Sequence, residues 1–318
     1  MAERMSVMQY YFAPLEGLTD RVYRQLHHKY FGGVDRYYLP FLSPTVHRAL
    51  TPREAKELPP AQSLGYCAIP QLLTKNAEDF LWMAQVCKDL GYPEVNLNLG
   101  CPSGTVTAKG KGSGMLRELD ALDCFLYEIY KDAPLPISVK SRIGFTDPAE
   151  FPAILEIFNR YPICELTLHP RVRAAFYKGA VHTDSFAYAA ENSKAKLCYN
   201  ADIRSLADVQ KLTDAYPQVQ AVMIGRGLIG DPGMLCSNGT DVQVLEQFHN
   251  ELLQSYIAQF GGARNAMFRM KEHWSYILPN FADNERLAKR LRKCTDVAEF
   301  SAITRAIFHT LTWKTNGL

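Results

Sequence analysis

The chain has 318 residues, 47% hydrophobic and 11% aromatic, with 35 Lys and Arg against 33 Asp and Glu. That composition excludes a disordered chain, a collagen-like repeat and a coiled coil, and leaves one large α/β barrel or two ordinary domains. A formal charge of +2 excludes a chain-wide polyanion surface, so any nucleic-acid contact has to be local.

Short apolar or β-branched runs recur along the chain at Tyr10–Pro14, Arg36–Leu42, Cys67–Leu73, Glu94–Leu99, Ile137–Arg142, Cys164–His169, Lys196–Asn200 and Ala221–Gly225. Helical periodicity fills most of the gaps, as at Asn76–Leu90, Leu119–Tyr130 and Ala149–Tyr161. Residues Ser43–Tyr66 carry Pro44, Pro52, Pro59 and Pro60 and read as an extended loop with at most a short helix. Eight strands alternating with helices predict an α/β fold, a (β/α)8 TIM barrel with strands buried on both faces. Gly, Pro, Asp, Ser and Asn then cluster at 230–239. Beyond them Val242–Phe260, Arg264–Leu278, Asn284–Cys294 and Val297–Lys314 read as helices. The expected organisation is a barrel over 1–235 and a C-terminal helical bundle over 240–318.

No apolar run approaches the roughly 20 residues of a membrane span. Met1–Met8 has no apolar core of the kind a secretory leader needs. The eight cysteines lie no closer than 14 residues apart, and no C-x-x-C pair exists. That argues against zinc or iron–sulfur sites and fits a reducing, cytoplasmic compartment.

A barrel of this kind builds its active site at the carboxyl ends of its strands. Those ends read Pro14-Leu15-Glu16, Gln71, Asn98-Leu-Gly-Cys101-Pro102, Lys140, His169, Asn200-Ala201-Asp202 and Gly225-Arg226-Gly227. Any one polar strand end is ordinary; the whole series is not. The last two loops occupy the usual phosphate position, where glycines admit close backbone approach and Arg226 offers a fixed cation. Lys140 ends an apolar strand, so its ammonium either snorkels outward or holds negative charge in the barrel mouth. His169 taken alone reads as a hydrogen-bonding core residue. Cys101 sits on a loop with four glycines and two lysines in residues 104–114, which predicts a mobile, polar segment. A thiol there can serve as nucleophile or as proton donor.

Together these residues resemble a family. Ala13-Pro-Leu-Glu-Gly-Leu-Thr-Asp20, Asn98-Leu-Gly-Cys-Pro-Ser103, Ser138-Val-Lys-Ser-Arg-Ile-Gly144, His169-x-Arg171 with Tyr177-x-Gly179, and Met223-Ile-Gly-Arg-Gly227 resemble the tRNA-dihydrouridine synthases, in the family's order and over about 10–310. The resemblance implies a cytoplasmic FMN oxidoreductase that uses NADPH, or NADH, to reduce a tRNA uridine to 5,6-dihydrouridine. It implies FMN contacts from Pro14, Leu15, Glu16, Gln71, Lys140, His169, Asn200, Ala201, Asp202, Gly225 and Arg226. Asn98 and Arg171 would meet the substrate, and Cys101 would give the proton. A monomer without metal or membrane attachment is implied as well. Ala201, Pro170 and Gly104 depart from the family's usual residues and put single contacts in question.

The carboxyl-terminal region adds a basic stripe. Arg286, Lys289, Arg290 and Lys293 fall at i, i+3, i+4 and i+7, and residues 264–293 hold eight Lys and Arg against three Asp and Glu. Such a stripe is usually a solvated face; here it is a candidate tRNA surface, extended by Arg269 and Lys271. Two other functions compete: an FMN barrel reducing a small pyrimidine or enone, and a tRNA-binding homologue without catalysis.

Overall fold

The computed structural model describes residues 8–45 and 47–314. The reading of the amino terminus as lacking a leader falls outside the described residues, Met8 aside. Nine short strands form one sheet: β1 Gln9–Phe12, β2 Arg36–Tyr38, β3 Ala68–Ile69, β4 Gln71–Leu72, β5 Val95–Leu99, β6 Ile137–Arg142, β7 Glu165–His169, β8 Lys196–Tyr199 and β9 Ala221–Ile224. Their order is β3-β2-β1-β9-β8-β7-β6-β5-β4.

The two ends of that order are one extended segment. Pro70, without an N–H, cannot donate to a ladder, and it divides the expected Cys67–Leu73 strand into β3 and β4. β3 pairs in parallel with β2, and β4 pairs in parallel with β5. Pro70 still contributes its carbonyl, which accepts from the Asn96 N–H at 2.8 Å. The sheet therefore closes on itself as a parallel barrel, which is the expected fold class. Its strands are nearly all buried, Val95–Leu99 and Glu165–His169 along their whole length. The proline-rich second interval carries a six-residue helix, Pro52–Glu57, started by a Thr51–Glu54 capping box.

The chain divides into two compact units. The first, Met1–Pro14, Asp35–Ala201 and Lys211–Met223, holds the strands and the helices around them. The second, Leu15–Val34, Asp202–Gln210 and Ile224–Leu318, holds the carboxyl-terminal helices together with Arg21–Tyr30. Its helices Val242–Phe260, Ala263–Ile277, Glu285–Lys293 and Val297–Thr310 follow the expected periodicity closely. They bury an aromatic core in which the Tyr23 and His273 rings stack at 4.9 Å and Trp274 lies 5.3 Å from Phe308. Burial pushes His249 and His273 down to about 4, so these imidazoles are neutral packing groups. Among the described residues no helix is long and apolar enough to cross a membrane, and no cluster of side chains is arranged to hold a metal ion.

Candidate active site

Strand register sets the first unit's site. Side chains alternate across a strand, so Asn96 and Asn98 of β5 share one face, as do Ser138, Lys140 and Arg142 of β6. Parallel pairing aligns Gln71 with Asn96 and Asn96 with Ser138. One step towards the carboxyl ends it aligns Asn98 with Lys140, Lys140 with Thr167, and Thr167 with Cys198. Arg142 stands level with His169 one step further on.

The lower row is a chain of amides. Asn96 Nδ2 donates to Ser138 Oγ at 2.9 Å, Gln71 Nε2 to Asn96 Oδ1 at 2.8 Å, and Asn98 Nδ2 to Gln71 Oε1 at 2.7 Å. Asn98 Oδ1 accepts the backbone N–H groups of Gly100 at 3.0 Å and Cys101 at 2.9 Å. Asn98 therefore shapes the turn that carries the cysteine, and each of the three amides, Gln71, Asn96 and Asn98, keeps one N–H. The expected contacts Gln71 and Asn98 thus come together, tied by Asn96 and Ser138, which sequence reasoning missed. The period-two polar pattern of Val95-Asn-Leu-Asn-Leu99 was the available signal.

The cysteine loop is exposed at Gly104, Thr105, Ala108 and Lys109 and packed from Gly112 onward. Residues Gly104–Thr107 form a helical turn, Gly112–Arg117 a 3-10 helix, and Gly112 to Leu116 are buried. Two of the four glycines that read as mobility, Gly112 and Gly114, are sites of close approach. Gly112 has φ +58, and a Cβ there would stand 3.0 Å from both the Cβ and the carbonyl oxygen of Cys101. Ser113 clamps that same carbonyl, its hydroxyl donating at 2.8 Å. Arg173, after β7, reaches Pro102 O and Thr107 Oγ1 at 3.2 Å each. Arg117 donates to Thr107 O at 3.2 Å, and both guanidiniums lie over the Phe145 ring, at 4.8 and 5.2 Å. Cys101 itself is half-buried.

Charge at this end is cationic. Arg142 is buried and holds Gly100 O at 2.9 Å and Val172 O at 3.0 Å, with its guanidinium 5.3 Å over the Tyr177 ring. Arg171 is buried too, donating to Gly179 O at 2.7 Å and to His169 Nε2 at 3.2 Å. A guanidinium only donates, so His169 Nε2 accepts and the ring proton sits on Nδ1. Lys140 differs from both. It is half-buried, with no hydrogen bond or ion pair among the described residues. Desolvation and the Arg142 charge push its ammonium down to about 8.

The other expected residues are placed as follows. Asn200 Nδ2 donates to Met223 O at 2.6 Å, linking the ends of β8 and β9, and Ala201 is buried. Pro14 ends the first unit's opening segment. In the second unit, the Leu15 N–H donates to Thr19 Oγ1 at 2.8 Å in a tight turn, and Glu16 is exposed. There Arg226 Nη2 pairs with Asp202 at 2.9 Å, and Gly225 starts the Arg226–Gly230 helix. Gly227 is required by packing, because a Cβ would lie 2.3 Å from Ile203 O. Arg286, Lys289, Arg290 and Lys293 are all exposed, over buried Ala288 and Leu291. Arg269 pairs with Glu272 at 3.3 Å, while Lys271 caps the end of that basic helix, donating to Arg292 O and Cys294 O at 2.8 Å.

Comparison with known proteins bears on this arrangement. A family model described as dihydrouridine synthase matches residues 11–312. A relative named tRNA-dihydrouridine synthase B, from Pasteurella multocida, is 26% identical over 91% of this chain and 89% of its own. Another, named tRNA-dihydrouridine(16) synthase, from Pseudomonas putida, is 26% identical over 93% of this chain and 96% of its own. Among solved structures, a morphinone reductase shares the fold at TM-score 0.50 and 11% identity, over 74% of this chain and 90% of its own.

Proposed function

The chain belongs to the dihydrouridine synthase family, and from that premise we propose that it reduces the C5=C6 bond of one tRNA uridine to 5,6-dihydrouridine, with FMN as cofactor and NADPH as reductant. When bound, FMN supplies hydride chemistry that no side chain offers. The residues present fit such a group. The observation that carries the reading is Lys140: a desolvated ammonium inside β6 rather than at its end as expected, without a counter-charge among the described residues, in register with Asn98. An electron-rich ring or anion beside it relieves the desolvation that lowers its pKa. Gln71 and His169 join it as proposed FMN contacts from the barrel. Asn200, Ala201, Asp202, Gly225 and Arg226 are assigned to the phosphate, and Pro14, Leu15 and Glu16 to the remaining contacts.

Cys101 has one task in this reading. Hydride addition at C6 of uracil leaves an enolate, and C5 then needs a proton. The Cys101 thiol gives it, on a backbone fixed by Asn98, Ser113 and Arg173. The spare Asn98 N–H is the proposed donor to the uracil edge. Arg171, already bonded to Gly179 and His169, acts by holding His169 in its acceptor tautomer. The exposed face of Arg286, Lys289, Arg290 and Lys293 binds tRNA phosphates, and binding of that kind weakens with salt.

Incubating the flavin-loaded protein with NADPH and a tRNA that lacks dihydrouridine tests the reading. Mass mapping should find one uridine with two hydrogens gained. Reduction of free uridine in preference to tRNA would transfer the assignment to a small-pyrimidine reductase. No reduction of either would overturn it.

A further inference from the structure

A pocket in the second unit, beside the basic stripe, has a volume of about 210 Å³. Leu278, Ala288 and Leu291 supply apolar lining, and Lys271 and Arg292 supply charge. Drug-sized ligands fill ~300–1,000 Å³, so this space limits its occupant to about one ring system. Its walls come from the helices Ala263–Ile277 and Glu285–Lys293, the second of which bears the basic stripe.

The lining chemistry favours a ring that carries an anion. Among the described residues no carboxylate lines the pocket. Lys271 Nζ donates two of its three N–H groups to Arg292 O and Cys294 O, which fixes the ammonium and leaves one donor. Arg292 is exposed, with no ion pair among the described residues, and Arg286, Lys289 and Lys293 stand exposed on the same helix. Trp274 also lines the pocket and adds an aromatic side chain, the residue type on which bases stack. A nucleotide combines a flat ring face with a phosphate suited to Arg292.

We propose that this pocket receives one unstacked nucleotide of the bound RNA, with its base against Leu278 and Leu291 and its phosphate at Arg292. The proposal rests on tRNA as the substrate. It adds a contact that reads an unpaired position rather than only the phosphate backbone. Single-stranded bases are held elsewhere by this combination of an apolar slot and flanking cations.

Two substitutions separate the pocket from the stripe. Ser275 is exposed and lines the space, so Ser275→Trp fills it without removing a cation. Measured as tRNA affinity against KCl concentration, Ser275→Trp should raise Kd about 10-fold, the low end for loss of a held base, with an unchanged salt slope. Arg292→Ala should lower that slope by about one. Pro279→Trp fills the same space from the other rim and replaces Ser275→Trp if that variant unfolds. Wild-type affinity in the folded, filled variants overturns the proposal. Dihydrouridine formation by the wild type is scored separately. A wild type that binds tRNA without reducing it fails the proposed function, and the filled variants still decide the pocket.

Discussion

The two ends of the barrel both bury charge, and they treat it differently. At the amino-terminal end Arg36 pairs with Glu94 at 3.0 Å, and its guanidinium lies 5.4 Å over the Tyr11 ring. Glu165 accepts the Tyr11 hydroxyl at 2.9 Å and the Tyr38 hydroxyl at 3.4 Å. Burial raises the Glu165 carboxyl above its ordinary value, and the Tyr11 hydroxyl, Arg36 and the Tyr38 hydroxyl offset only part of that rise. Each charge there meets a partner supplied by the protein. At the carboxyl end Arg142 and Arg171 are satisfied by carbonyls and a neutral histidine, and Lys140 by nothing described. A desolvated charge without a protein partner is costly, and in the proposed function a ligand supplies one. One end pairs its charges within the protein; the proposed function gives the other end's lysine to a ligand.

The sharpest way to separate the ends is Cys101→Ala. It removes the proposed proton donor and leaves every paired charge in place. Flavin reduction by NADPH should proceed near the wild-type rate, while reoxidation by tRNA slows at least ~10²-fold. Stopped-flow of the two half-reactions reads both, and loss of the reductive half would contradict the proton-donor role. Arg173→Ala releases Pro102 O and Thr107 Oγ1 and should loosen the cysteine loop. We expect reoxidation by tRNA to fall about 10-fold at saturating substrate, as expected when a donor is misplaced by a fraction of an ångström. An effect confined to KM would count against a positioning role. The smallest change belongs to the other end. Tyr11→Phe leaves one Glu165 oxygen without its buried donor and should lower stability by about 1–3 kcal/mol in denaturant titration, with turnover per folded molecule unchanged. A large loss of turnover there would erase the distinction between the two ends.

Most of the barrel was legible because strand ends carry their polar residues in register. The Ile137–Arg142 and Val242–Phe260 spans have the expected bounds. Pro70 is a different matter: one residue without an N–H divides a strand that looks continuous in hydropathy. The cysteine loop misled for a related reason. Gly112 signals freedom in a sequence, yet here it marks where the chain packs against Cys101, and only three-dimensional contact separates the two. Similarly, Gly227 read as room for phosphate and instead faces Ile203 O. Arg142 was within reach, since it stands two residues beyond Lys140 on the same strand face. Its role depends on carbonyls 42 and 30 residues away, which no local pattern reveals.

The central claim is that the carboxyl end keeps Lys140 unpartnered for a bound cofactor, and FMN affinity as a function of pH tests it most directly. Free Lys140 begins to lose its proton near pH 8. A ligand that stabilises the ammonium must then bring a proton with it, so affinity should be flat below that pH and fall up to about 10-fold per unit above it. Lys140→Met should bind FMN more weakly, and with no such fall. A wild type whose FMN affinity stays constant from pH 7 to ~9.5, or a methionine variant that falls in parallel with it, would contradict the claim.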